Sequence, residues 1–190
     1  MYNNHRLFIA IPLDNTNQNK LVQFQQTHLN PSVFNIVSKD NLHLTLVFLG
    51  NNDNNAILQI SQILNKIAHH FNPFTIILDK IEYGPTPNRQ RLVWIKGAPN
   101  KILQDVKNKL QEELYSYPNI NFQGEHKGFI PHITLARIQN FNTPSLLPSK
   151  TTIETIMPIQ FVANSLILFE SQLTRKGAQY TTLYQAFFNN

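Results

Sequence analysis

One short phrase occurs twice in this chain, 89 residues apart: His43-Leu44-Thr45-Leu46 and His132-Ile133-Thr134-Leu135. Each copy lies in an apolar run that reads as a β-strand, and side chains alternate faces along a strand. Each strand therefore turns its histidine and threonine to one side and its aliphatic neighbours to the other. With 7 His and 13 Thr in 190 residues, H-x-T alone is expected about half a time by chance, and H-x-T-L about 0.06 times. Two strand-borne copies therefore constrain the fold: two strands set face to face would bring two imidazoles and two hydroxyls to one spot.

The surroundings of the two copies are alike. Leu7–Ile11 reads as a short strand ended by Pro12, and Asp14 or Asn15 can cap a helix from Thr16 to Leu29. Strands are expected at Phe34–Val37 and Leu42–Leu49, the second stopped by Gly50. Asp53 caps a helix in which Ile57, Ile60, Ile63, Leu64, Ile67 and Phe71 follow the 3.6-residue period. Phe74–Tyr83 and Leu92–Ile95 read as strands, with Gly84-Pro85-Thr86-Pro87-Asn88 as the turn between them. Asn100 caps a third helix that turns Leu103, Val106, Leu110 and Leu114 inward. Ile130–Ile138 is the second motif strand, and Pro144 and Pro148 mark a loop. Further strands are expected near Thr152–Met157, Gln160–Glu170 and Thr181–Phe188, with Gly177 in the last turn. The spacing is too long for a solenoid repeat and fits a duplicated lobe. The expectation is an α+β, bilobal duplicated fold spanning residues 1–190 as one two-lobed domain. Its two antiparallel sheets face a central groove, with helices on the outer faces.

Composition narrows the chemistry. The chain has no cysteine, which removes disulfides, thiolate metal sites and a cysteine nucleophile. A net charge of +5 and a pI of about 9.5 suit a polyanionic partner. The N-terminus lacks the pattern of a cleavable signal, and no run approaches the ~18 apolar residues of a membrane helix. The expectation is a cytoplasmic protein, monomeric, with no membrane association. His69 and His70 are adjacent on a helix and diverge, and His126 lies in a glycine-containing loop. No further ligand stands at a fixed offset from either motif, so no metal and no cofactor are expected.

Two histidines flanking a phosphate can exchange protons near neutral pH, where the unperturbed imidazole pKa of about 6.5 places them. Threonine hydroxyls can hydrogen-bond its non-bridging oxygens. Spacing alone leaves open which histidine gives and which takes the proton.

At these residues the chain resembles the 2H phosphoesterase superfamily. It looks closest to the bacterial RNA 2′,3′-cyclic phosphodiesterases, also called 2′-5′ RNA ligases. Arg6–Ile11 resembles the family's first strand, Asn41–Gly50 its first motif and Arg91–Trp94 its mid-chain strand. Phe129–Arg137 resembles the second motif. The tail Leu166–Leu183, with Ser171, Leu173, Gly177 and Tyr180, is similar to the C-terminal strand pair. The resemblance implies metal-independent hydrolysis of RNA 2′,3′-cyclic phosphate ends to 2′-phosphates, and allows 2′-5′ RNA ligation at the same site. It implies that His43 donates a proton to the leaving O3′ and that His132 accepts one from water. It also implies that Thr45 and Thr134 hold the phosphate and that Arg137 contacts the ligand.

Strict alternation, however, puts Arg137 on the face opposite His132, so it reaches the site only if the strand ends or bulges first. Phe8 or Phe48 can stack on a base, although strand aromatics are usually core. Arg89 and Arg91 can collect phosphates or form a solvated surface pair. Two other readings stand beside the leading one: a cyclic phosphodiesterase acting on small nucleotides, and a non-catalytic module that binds RNA ends.

Overall fold

In a computed structural model of the chain, residues 4–86, 89–124, 129–139, 158–175 and 177–189 are described. The strands are β1 (His5–Pro12), β2 (Phe34–Ile36), β3 (His43–Asn52), β4 (Phe74–Leu78), β5 (Lys80–Thr86), β6 (Arg89–Lys96), β7 (His132–Ile138), β8 (Ile159–Ala163), β9 (Ser165–Thr174) and β10 (Gly177–Phe187). The helices are α1 (Asn15–His28), α2 (Asn54–Ala68) and α3 (Lys101–Tyr115). The expected proline loop, the strand near Thr152–Met157, His126, Pro87, Asn88 and the side chain of Arg89 lie outside the described residues.

The three helices start where short polar side chains can take up their first amides. Asp14 accepts from the Asn17 N–H at 2.9 Å, Asp53 from Ala56 at 2.9 Å and Asn100 from Leu103 at 3.0 Å. Such caps satisfy donors that have no partner inside the helix.

The fold is α+β with two antiparallel sheets, as expected. The larger runs β10-β9-β1-β3-β7-β6-β5, with β2 on β7, and the smaller is β4-β8. The larger sheet is itself bilobal. The half β10-β9-β1-β3 meets the half carrying β7, β6, β5 and β2 at one paired position, Leu44 opposite Ile133. Both residues are fully buried. Leu44, Leu46, Val47 and Leu49 of β3 join Ile133, Leu135 and Ala136 of β7 in one core with Ile60, Ile63 and Leu64 of α2 and Leu103, Val106 and Leu110 of α3. The helices pack on this side, α2 against β9 and β10, α3 against β3, α1 against β7 and β8. The opposite face of both motif strands carries the histidines and threonines.

Several segments differ from the sequence expectation: β3 is not stopped by Gly50 but pairs on to Asn52, and Gly177 begins β10 rather than lying in the turn before it. Phe74–Tyr83 is two strands in two sheets. The break is at Asp79, whose N–H donates to the Lys96 carbonyl at 3.0 Å. Close by, a Cβ on Gly97 would collide with the Ile77 carbonyl, so only glycine allows the approach. Gln160–Glu170 likewise divides, into β8 and β9, and the Asn164 carbonyl there accepts from Phe188 N–H at 2.9 Å. Gly84–Thr86, expected to turn, pairs with β6 instead, with a register shift between Gly84 and Pro85.

Candidate active site

A cavity of about 350 Å³ lies across the seam between β3 and β7, and His43, Thr45, His132, Thr134 and Arg137 all line it. Continued one step either way, the Leu44–Ile133 register sets His43 across from Thr134 and Thr45 across from His132. The two histidines are then a diagonal pair, and such positions lie about 7–8 Å apart in an antiparallel ladder. That is room for a phosphate between two hydrogen-bonding imidazoles.

Each imidazole is held from behind. His43 Nδ1 lies 2.7 Å from the Asn41 carbonyl and His132 Nδ1 lies 2.9 Å from the Ile130 carbonyl. A carbonyl only accepts, so Nδ1 carries the hydrogen in both rings and Nε2 is the nitrogen whose proton changes. His43 Nε2 is 2.9 Å from the Thr45 hydroxyl. With His43 neutral, that hydroxyl donates to Nε2.

Beyond these contacts the two rings differ. His43 sits among Phe8, Tyr180 and Phe169, at centroid distances of 4.9, 5.2 and 5.8 Å. Burial pushes its pKa down to about 4; the Asn41 carbonyl opposes the shift and the charge of His132 adds to it. His132 is half-buried, with Trp94 of β6 packed on its ring at 4.3 Å and 34°. Gly84 of the adjacent β5 lies on the Trp94 ring, and a Cβ there would come within 2.7 Å of it.

Arg137 reaches the cavity because β7 bulges. Val93 pairs with Ala136 and Trp94 with Thr134, so Leu135 is an inserted residue. The insertion reverses the alternation, and Arg137 emerges on the side of His132 rather than with Ile133. The first motif strand does the same: Ile9 pairs with Val47 and Ala10 with Thr45, leaving Leu46 inserted. Phe48, at the position matching Arg137, is consequently 58% exposed and lines the cavity. The usual core reading of a strand aromatic fails there. It holds for Phe8, which is buried and packs on His43.

The remaining candidates are elsewhere or ordinary. Arg91 is exposed and does not line the cavity. His69 and His70 each bond a carbonyl of their own helix at 2.7 Å. Among the described residues no three His, Asp or Glu gather as metal ligands, and no helix is long and apolar enough to cross a membrane. Sequence reasoning missed the aromatic packing of Tyr180, Phe169 and Trp94, and Arg6 and Asn41 on the cavity wall. Tyr180 and Trp94 stood in segments matched to the family, but no local pattern marks a ring that will pack on a distant histidine.

Several known proteins are similar to this chain in sequence and fold. The LigT like phosphoesterase profile matches residues 11–94, which hold the first motif. The RNA 2′,3′-cyclic phosphodiesterase of Methanocaldococcus jannaschii is 30% identical over 94% of this chain and 98% of its own length. An alignment that long necessarily spans the second motif as well. The protein of the same name from Aeropyrum pernix is 32% identical over 78% of this chain and 83% of its own. Escherichia coli LigT, in a crystal structure with 3′-AMP, superposes with a TM-score of 0.77 at 25% identity, covering 98% of this chain and 99% of that one. TT0787 of Thermus thermophilus also gives 0.77 at 25% identity, over 96% and 97%. The chain belongs to the LigT-like phosphoesterase family, within the 2H phosphoesterase superfamily.

Proposed function

We propose that this protein hydrolyses RNA 2′,3′-cyclic phosphate ends to 2′-phosphates, with residues 1–190 acting as one two-lobed monomeric unit. The observation that carries this reading is the placement of both His–Thr pairs on one cavity across the seam. The names of the relatives from M. jannaschii and A. pernix support the substrate, and the 3′-AMP complex of E. coli LigT supports a nucleotide as the class of ligand.

In this mechanism water attacks phosphorus, His132 Nε2 takes its proton, and the bond from phosphorus to O3′ breaks. His43 Nε2 gives its proton to O3′, and the 2′-phosphate remains. Thr45 and Thr134 donate to the non-bridging oxygens, and Arg137 pairs with a phosphate or stacks on the base. The same proton transfers with a 5′-hydroxyl in place of water would form a 2′-5′ linkage. No step requires a metal.

The depressed pKa of His43 bears on this assignment. A donor must hold its proton, and in the protein alone burial keeps His43 neutral above about pH 4. The negative charge of a bound cyclic phosphate reverses that bias, because an adjacent opposite charge favours the protonated form. The donor pKa is therefore higher in the kcat profile, which reads the complex, than in the kcat/KM profile, which reads the free protein.

The test is incubation of the protein with an oligonucleotide ending in 2′,3′-cyclic phosphate, in EDTA, with separation of 2′- and 3′-phosphate products. A 2′-phosphate is expected. Binding without turnover would leave a non-catalytic module, and loss of activity to chelator would make it a metal enzyme. A kcat/KM no higher for the oligonucleotide than for a cyclic mononucleotide would move the substrate to small nucleotides.

A further inference from the structure

The bulge that brings Arg137 into the cavity has a support of its own. On one edge of β7 the inserted residue Leu135 has no register partner in β6. On the other edge β2 pairs up to Ile36 opposite Ala136, and the next amide, Val37 N–H, donates to the Leu135 carbonyl at 2.9 Å. Gln25 of α1 completes the arrangement. It is 3% exposed, on a helix that otherwise turns Leu21 and Phe24 to the core. Its Nε2 donates to the Leu135 carbonyl at 2.8 Å and to the Val37 carbonyl at 2.9 Å. One amide nitrogen carries two hydrogens, so a single group serves both carbonyls.

We propose that Gln25 is a positioning residue for Arg137: its amide pins the Leu135 bulge in one register and thereby keeps the guanidinium on the histidine side of β7. The proposal rests on Arg137 contacting the substrate. Without the two donors, the part-buried Val37 carbonyl loses its bond from Gln25 and the Leu135 carbonyl, still bonded by the Val37 N–H, loses its second donor; such losses away from water are costly. The backbone relieves this by re-pairing. Loss of the inserted residue would return Arg137 to the face of Ile133, away from the cavity, since a one-residue slip exchanges faces. Gln25 bonds neither histidine; of its two partners Val37 lines the cavity and Leu135 carries the bulge that sets Arg137, and non-additivity with Arg137→Ala separates the second route from the first.

The experiment is a double-mutant cycle read in KM for a cyclic-phosphate dinucleotide. Arg137→Ala is expected to raise KM by about tenfold, the scale of one lost charge-assisted contact. Gln25→Met, of similar length but without donors, is expected to raise KM nearly as much. The double variant should show no more than Arg137→Ala alone, because both changes remove one interaction. A purely structural role would lower the active fraction and so the maximal rate, while KM stayed the same. Gln25→Asn keeps the amide on a shorter arm, should give an intermediate KM, and serves if Gln25→Met does not fold. An unchanged KM in Arg137→Ala would overturn the reading of Arg137, and this proposal with it. A raised KM in Arg137→Ala with wild-type KM in the Gln25 variants would overturn the proposal alone. So would full addition of the two effects in the double variant.

Discussion

The two motif strands share more than a phrase. Each holds its histidine by Nδ1 on a carbonyl two residues back, and each inserts a leucine after its threonine. Their surroundings diverge. His43 is enclosed by three aromatic rings and pushed down to about 4, whereas His132 is half-buried with the Trp94 indole on its ring. Beyond the bulges one strand offers an exposed phenyl ring, Phe48, and the other a guanidinium, Arg137. Two strands of like local geometry thus have unequal environments. The low pKa of His43 arises from burial among rings on neighbouring strands, Phe8, Phe169 and Tyr180, rather than from the motif itself.

The strongest way to break the comparison is to remove each histidine in turn. His43→Ala and His132→Ala should each lower kcat by about 10³-fold, the middle of the range for a positioned acid or base. The double variant should be little worse than either single one. Retention of activity by either single variant, measured with a cyclic-phosphate oligonucleotide, would mean that the two motifs do not act as a pair.

A smaller effect isolates the burial of His43. Its pKa is lowered to about 4 from 6.5 on folding. Between those values the unfolded chain takes up a proton that the folded one refuses. Stability from this group is therefore complete above pH 6.5 and is lost as pH falls through 4, by about 3 kcal/mol. Urea melts of wild type and His43→Gln from pH 7 to 4 should show the variant losing less stability by about that amount. Parallel curves would remove the proposed asymmetry.

The smallest expected effect concerns the other ring. Gly84→Ala places a methyl against Trp94 and should shift the indole on His132, lowering kcat by about tenfold with little change in KM. The chain has one tryptophan, so intrinsic fluorescence reads the displacement directly. A changed emission with unchanged kcat would make the indole a bystander.

What could be read from the sequence follows the range of the interactions. Caps were visible at Asp53 and Asn100, and at Asp14 as one of two candidates beside Asn15, because a cap is made within three residues. The His–Thr faces were visible because strand alternation is local. Alternation alone could not put Arg137 and Phe48 on the cavity, since each depends on an inserted leucine that it does not mark; Arg137 was expected at the ligand from the family resemblance, and Phe48 was offered as a base-stacking ring against the usual core reading. On β7 the Leu135 carbonyl is bonded by Gln25, 110 residues away in the chain. The divisions at Asp79 and Asn164 were hidden for a related reason: apolar alternation continues while the chain moves from one sheet to the other.

The seam at Leu44 and Ile133 has a mechanical consequence. A sheet hydrogen-bonded across its whole middle would hold His43 and His132 at a separation dictated by the ladder. With one paired position, the halves meet as at a pivot. The spacing of His43 and His132 is then held by this short stretch of ladder together with the packing of α1, α2 and α3 behind the sheet. A cavity-filling or cavity-forming change in that distant core, far from any phosphate, would alter the gauge of the site.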